Sequence, residues 1–581
     1  MILRFTILTL LAFVTAFLVA FRIHEPQGKI TSSNQWPGKK NFQVRCGPDW
    51  EFLNEMFEEV EIPPIAGAGS YKWKITTSSD SAQFYFNQGI NMYYSFHIIE
   101  AMASFKKAAR FDPASAMLHW AQALALGPNI NDVGYAETPN ALLSIGKAIE
   151  LSNKCTDKEK LLIAAQQVRY STDSTISRAT LNQLYVDKSR LAYDKYPNDA
   201  DVAALYADAL MLQHPWDLWR VDGTPKPWTP RIREVLEKLL KKTPGHPGAN
   251  HYYIHVMEPS PYPEKALASA DRLGRLTPGL SHTVHMPSHI YLRTGRYDLG
   301  TVVNENAVNS YKKVFPLYSP VATADFLYVI HNLHMQTNNS MLAGRSVYST
   351  TAAMETMNSI PKDYLLTTGA LGNYIQYIYM TPVMVDIRFG KWDDLLKREK
   401  PAASNVYANV LHLFGRGMAF AGQSKLAEAR ESLREMNGLL KDSSLLPPLS
   451  PFSAAIDGAM VAENLLSGTI ALKEKNYGTA LASFQKAVEL EENMVYNEPR
   501  DWMLNPRQYL GNALLKAGRW LDAEKAFRND MKVNNENGWA LFGLSRSLDA
   551  QNRKAEAAKL YTRFMKAFAK ADVKLSGPVF F

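Results

Sequence analysis

The residues best suited to chemistry lie between His246 and His334. They read HPGANHYYIHVME at 246–258, SHTVHMPSHIYLRTGRY at 281–297 and YVIHNLHM at 328–335. Eight of the thirteen histidines fall in these 89 residues. His251, His255 and Glu258 stand at i, i+4 and i+7 between Pro247 and Pro259. A helix from Pro247, stopped before Pro259, puts all three on one face. Two imidazoles and a carboxylate on one face suit Zn, Cu, Fe or Mn. The spacing then recurs: His285 and His289 follow His251 and His255 by 34 residues each. His282 precedes that second pair, and His331 and His334 form a third group. The expected metal ligands are therefore His251, His255, Glu258, His282, His285, His289, His331 and His334. Residue 252 is Tyr, so the metalloprotease pattern H-E-x-x-H is not met. No G-x-S-x-G, P-loop or dinucleotide fingerprint is present either.

Pro287 lies between His285 and His289. It either kinks a helix that began near 282 or starts a new one, leaving His282 and His285 on the approach. Tyr252, Tyr291 and Asn332 are candidates to orient a substrate beside the metal. A loop at 214–230 (HPWDLWRVDGTPKPWTP) carries three Trp and four Pro, too apolar for a linker. It is expected to fold back over the histidines with Trp216 and Asp217. His97 is expected at the surface of a turn. Glu498, Asp501, Trp502 and Arg507, in the joint at 497–511, could close the groove, but an inter-repeat structural role is favoured.

The elements that position these side chains are helical repeats. The segment 81–113 places Gly89, Ala101, Phe105, Ala108 and Pro113 in a small–small–aromatic–small–proline series. Similar units follow at 259–279, 293–308, 346–357, 408–433, 465–493, 507–527 and 537–561. Two antiparallel helices need small residues where backbones approach and large ones beside them. The pattern resembles the tetratricopeptide (TPR) superfamily over most of 81–565, and 34 residues is that family's repeat length. With HYYIHVMEPSPYPEKAL, HMPSHIYLRTGRY, PWDLW and NGWALFGL present, the chain also resembles a bacterial TPR family of unsettled activity. The resemblance implies an all-α superhelix (an α-solenoid) whose concave groove is faced by the repeated histidine positions. It also implies a protein or peptide partner in that groove.

The domain plan that follows is an apolar anchor or signal at 1–24, a linker and cap at 25–80, a His-rich repeat array at 81–345 and a second array at 346–575. Residues 5–21 (FTILTLLAFVTAFLVAF) carry no charge and sit at the short limit of a membrane span. A retained anchor is favoured over a cleaved signal, because Leu18 is bulky for a cleavage site. The soluble part is then expected on the periplasmic side of a cell envelope. The formal charge of +8 comes without a long Lys/Arg run, so nucleic-acid binding is not indicated. Cys46 and Cys155 allow a single disulfide or two separate thiols. The functional expectation is an exported, anchored TPR protein with a transition-metal site; if it is catalytic, metal-assisted hydrolysis or oxidation. The alternatives are a non-enzymatic envelope scaffold and a metal carrier.

Overall fold

Helix pairs follow one another along the whole described chain. The structure is a computed structural model that describes residues 50, 53, 56, 57, 61–131, 135, 137–318 and 329–581. The apolar run 5–21, Cys46 and most of the expected helix at 49–60 lie outside the described residues. Among the described residues no helix is long and apolar enough to cross a membrane. Cys155 is buried, and burial pushes its thiol up to about 11.

The N-terminal pairs are α1 (Asp80–Tyr94) with α2 (Ile98–Phe111), α3 (Ala116–Ala125) with α4 (Pro139–Glu150), α5 (Asp157–Gln167) with α6 (Arg178–Lys195), and α7 (Ala200–Leu212) with α8 (Thr229–Lys242). Then come α9 (Pro247–Met257) with α10 (Leu267–Leu276), and two short helices, α11 (Ser281–His285) and α12 (Pro287–Arg293), which pack on α13 (Tyr297–Val314). Next is α14 (His331–Leu342) with α15 (Ser346–Asn358). The less regular α16 (Gly369–Tyr379), α17 (Thr381–Arg388) and α18 (Trp392–Lys397) follow. Four regular pairs close the series: α19 (Val406–Gly422) with α20 (Leu426–Leu439), α21 (Ala455–Lys473) with α22 (Tyr477–Asn493), α23 (Pro506–Lys516) with α24 (Trp520–Val533), and α25 (Gly538–Ala550) with α26 (Lys554–Ala567).

One contact explains the pairing. A Cβ on Gly89 would stand 2.4 Å from the Phe105 ring, one on Gly468 2.7 Å from Phe484, and one on Gly511 2.5 Å from Phe527. In each case the glycine is on the first helix and the ring, sixteen residues later, is on the second. The ring fills the space that the missing side chain leaves, which lets the two backbones approach. This is the TPR-like arrangement of an all-α helical-repeat fold. Turns between paired helices hold a residue at positive φ: Gly295, Gly344 and Gly518, but also Phe96 (φ 54). Phe96 therefore takes the ordinary turn conformation while its ring points inward.

The core divides into two clusters. One draws on residues from Trp50 to Tyr318, the other on residues from Leu292 to Val579. They overlap in sequence at α12 and α13.

Candidate metal centre

Helix α9 begins where its sequence expects. The His246 ring accepts the backbone N–H of Ala249 (3.1 Å), and Pro247 occupies the first turn, where no N–H is needed. One turn apart on α9, His251 and His255 bring their Nε2 atoms to 3.1 Å. His282 enters from α11 and places its Nε2 3.1 Å from that of His251. These three rings form the first triad, with ligand atoms all within 4.8 Å of one another.

The second triad repeats the construction one unit on. His289 Nε2 lies 2.7 Å from His285 Nε2, and His331 Nε2, from α14, lies 3.1 Å from it. The chain breaks its helix after His285 and restarts at Pro287, so both readings of that proline are half met. His282 and His285 are helical, and Pro287 starts a new helix. In each triad one helix or helix pair supplies two rings four residues apart. The third ring comes from the next repeat: His282 for the first triad, His331 for the second. His331 and His334 repeat the three-residue step of His282 and His285, 49 positions later.

What lies behind the rings fixes their tautomers. His251 Nδ1 donates to the Tyr94 carbonyl oxygen (2.7 Å). His255 Nδ1 donates to Glu258 Oε1 (3.0 Å). His285 Nδ1 donates to Asn304 Oδ1 (2.6 Å), and the Asn304 amide is itself oriented because its Nδ2 donates to the Gly300 carbonyl (2.7 Å). His289 Nδ1 lies 3.0 Å from Glu258 Oε2, an ion-pair contact rather than an aligned hydrogen bond. A proton on Nδ1 of a neutral imidazole leaves Nε2 as a lone pair. His251 and His285 therefore present lone pairs to neighbouring Nε2 atoms at 2.7 to 3.1 Å. Such contacts require a cation or a proton between them. Ligand nitrogens around one tetrahedral ion with bonds of 2.0–2.1 Å stand about 3.3 Å apart, so both triads could hold a metal ion.

The charges agree with that reading. Burial and neighbouring imidazoles hold His251, His282, His285 and His331 well below the usual range, neutral and ready to ligate. His255 behaves differently: burial lowers it, but the nearby carboxylates of Glu258 and Glu498 more than offset this and raise it to about 9. His289 is also raised, because the charges of Glu498 and Glu258 outweigh its burial. Without metal, His255 thus holds a proton where an ion would sit. Glu258 is fully buried, yet the imidazoles of His289 and His255 hold it well below the usual carboxylate range. Its two oxygens serve one ring of each triad, and Tyr496 Oη adds a hydrogen bond to Oε2 (2.9 Å). Carboxylates in this place behind ligating histidines raise ligand basicity and fix ring orientation.

The expected positions fare unevenly. His251, His255, His282, His285, His289 and His331 are brought together, with Glu258 set on the Nδ1 side of His255 and His289. His334 is buried outside both triads; its ring meets Tyr377 edge-on (5.8 Å), neither nitrogen has a hydrogen-bond partner, and burial lowers it to about 3. Trp216 does fold back, with its ring edge-on to His255 at 5.2 Å. Asp217 instead pairs with Lys226 (2.8 Å). Tyr252 packs against Phe96 and His251, Tyr291 donates to Asp271 (2.7 Å), and Asn332 donates to Ser281 Oγ (3.1 Å).

Three expectations need correction. The histidines do not line an open groove; those of the triads are all buried, with Phe96 and Trp216 packed against the rings of the first triad. His97 is not a surface residue: it is buried, pairs with Glu100 (2.8 Å), and its Nε2 accepts the backbone N–H of His282 (3.3 Å). Glu498 is not confined to the joint between repeats; its Oε1 lies 3.6 Å from His255 Nδ1 and 3.5 Å from His289 Nδ1, and its Oε2 lies 3.8 Å from His331 Nε2. Burial and the charge of Glu258 push Glu498 up to about 7. Only the general richness of 497–511 in polar and aromatic residues pointed to it.

Neither a protein-family model nor a curated protein sequence matches the chain. Among solved structures, human IFIT1 as a dimer with m7Gppp-AAAA covers 86% of this chain and 92% of its own, at 11% identity and a TM-score of 0.29. The APC/C hetero-tetramer Cut9–Hcn1 covers 86% and 79%, at 12% identity and 0.26. The P58(IPK) TPR domain covers 75% and 99%, at 13% identity and 0.20. Likeness at these scores carries no argument, so the repeat assignment rests on the helix pairs themselves.

Proposed function

We propose that this chain is a helical-repeat metalloprotein that holds two transition-metal ions, one in each histidine triad. The observation that carries this reading is the convergence of three Nε2 atoms twice over, with His251 and His285 fixed as lone-pair donors by the Tyr94 carbonyl and Asn304. Three neutral imidazoles leave a coordination position free, the arrangement that catalytic rather than structural zinc sites keep. The chemistry this supports is activation of a water or another small ligand at that position, for hydrolysis or oxidation. The burial of all six rings favours a small substrate. The apolar run 5–21 supports, from sequence alone, attachment to an envelope membrane with the repeats exported.

Metal analysis of the purified protein tests the proposal. Two equivalents of a transition metal are expected after loading, falling to about one in His251→Ala and in His289→Ala, with helix content retained. Less than about a tenth of an equivalent before and after loading would exclude it. Binding to a protein or peptide partner is the second reading, favoured by a polar cavity of about 590 Å³ lined by Arg220, Glu491, Arg500 and Arg507.

A further inference from the structure

A small pocket lies one ring beyond the first triad. Trp216 stands edge-on to His255 at 5.2 Å and tilts against Phe452 at 5.9 Å. Phe452 lines a pocket of about 40 Å³ together with Tyr374, Tyr377, Tyr407, Asn497 and Asp501. Tyr374 and Tyr377 are three apart on α16, so they share a face. Tyr407, in the first turn of α19, stacks on Tyr377 at 6.2 Å. Phe452 sits in a turn that a bridge between Pro448 and Ala454 closes.

The charge of this pocket is one-sided. Asp501 Oδ1 accepts the Asn497 amide (2.7 Å), and among the described residues no Lys, Arg or His forms an ion pair with its carboxylate. Its chain neighbour Arg500 turns to Glu491 instead (3.3 Å). Burial pushes Asp501 up to about 7, and the charge of Asp457 adds to this. Burial also holds the hydroxyls of Tyr377 and Tyr407 above their usual range, and the charge of Asp501 adds to both. A carboxylate held among aromatic rings without a counter-ion is complementary to an organic cation, which the rings attract within about 6 Å. Size then selects the cation. The volume is little more than the ~30 Å³ of one water, room for an –NH₃⁺ group and too little for a trimethylated one.

We propose that this pocket binds the ammonium group of a primary alkylamine, with Asp501 accepting its N–H and the rings of Tyr377, Tyr407 and Phe452 around it, and that primary amines are the substrate class of the first triad. Only the second half rests on the triads holding metal. An amine seated at Asp501 has Phe452 and then Trp216 between its chain and His255. Trp216 is free to make way. Trp219 and Trp228 of the same loop donate their indole N–H groups to the carbonyls of Val256 and Asp217 (both 2.7 Å), whereas Trp216 donates to none among the described residues.

The test is a calorimetric titration of metal-stripped, full-length protein with n-butylammonium, butan-1-ol and tetramethylammonium. Butylammonium should bind. Butanol, of similar shape without the charge, and tetramethylammonium, which is too large, should bind at least about tenfold more weakly. Asp501→Asn should weaken butylammonium about tenfold or more with its circular dichroism unchanged. No binding of butylammonium, equal binding of butanol or of tetramethylammonium, or an Asp501→Asn variant equal to wild type would overturn the pocket. Should Asp501→Asn not fold, the comparison of butylammonium with butanol on the wild type decides. The same titration of Co²⁺-loaded protein tests the second half: butylammonium should shift the visible spectrum of the ion, and butanol should not. An unshifted spectrum with the amine bound sinks the substrate assignment and leaves the pocket. If Co²⁺ does not bind at all, the metal reading and the substrate assignment fall together, and the titration of stripped protein still decides the pocket.

Discussion

Glu258→Gln separates the two sites by a simple count of donors. Glu258 Oε1 receives one, His255 Nδ1 at 3.0 Å. Oε2 faces two, the Tyr496 hydroxyl, which donates at 2.9 Å, and His289 Nδ1, in ion-pair contact at 3.0 Å. Glutamine keeps one acceptor oxygen and gains an NH₂. The oxygen stays where two donors meet, so the NH₂ turns to His255. There it confronts an N–H, and His255 must move its proton to Nε2, the atom that would bind metal. Its nearest remaining acceptor is Glu498 Oε1 at 3.6 Å, too far to hold Nδ1–H without movement. Loss of such a partner costs about 10–100-fold in metal affinity, or about 1.4–2.7 kcal/mol. The site of His251, His255 and His282 should weaken by that factor, and the site of His285, His289 and His331 by much less. Competition with a chromophoric chelator on both proteins, with circular dichroism to confirm the fold, reads the two constants. Equal weakening of both sites, or selective loss of the second, would refute the donor count.

Metal binding should release protons. His255 carries one up to about pH 9. Apparent affinity at the first site should therefore rise about tenfold per pH unit from 7 to 9 and then level off, seen in zinc competition across that range; a flat profile would contradict it. Acid should destabilise the metal-free protein. His251, His282, His285, His331 and His334 are all lowered, so the unfolded chain binds protons that the folded one refuses. Stability is then lost as pH falls below the unfolded value near 6.5, each ring contributing up to ~1.4 kcal/mol per pH unit, measurable as urea midpoints from pH 7.5 to 5. His255 acts in the opposite sense: its stabilisation is full below about 6.5 and is lost as pH rises through about 9. Gly511→Ala should cost about 1–3 kcal/mol in a urea melt with metal stoichiometry unchanged, since its Cβ would stand 2.5 Å from the Phe527 ring.

The sequence makes the helices legible because their determinants are local. Gly89 and Phe105 sit in one repeat, as do Gly511 and Phe527, and their spacing announces the pairing. Four of the six triad rings, His251, His255, His285 and His289, are equally legible, because repeat geometry turns a 34-residue step into a step in space; His282 and His331 stand 49 residues apart, outside that period. What was hidden is what no period encodes. Tyr496 reaches Glu258 across 238 residues, and Glu498 comes with it. The acceptor for His251 is the backbone carbonyl of Tyr94, which any residue could provide. His97 looked like a turn residue because its helices are read one pair at a time. In the fold the following repeats close over it.

Each triad draws two rings from one repeat and the third from the next. An ion held there acts as a pin through the joint between repeats. A twist at that joint carries His282 away from His251, or His331 away from His285, and stretches the ligand set. Curvature and affinity then become two readings of one quantity: a bend imposed from outside changes how tightly the ion is held, and the ion resists the bend by the same free energy.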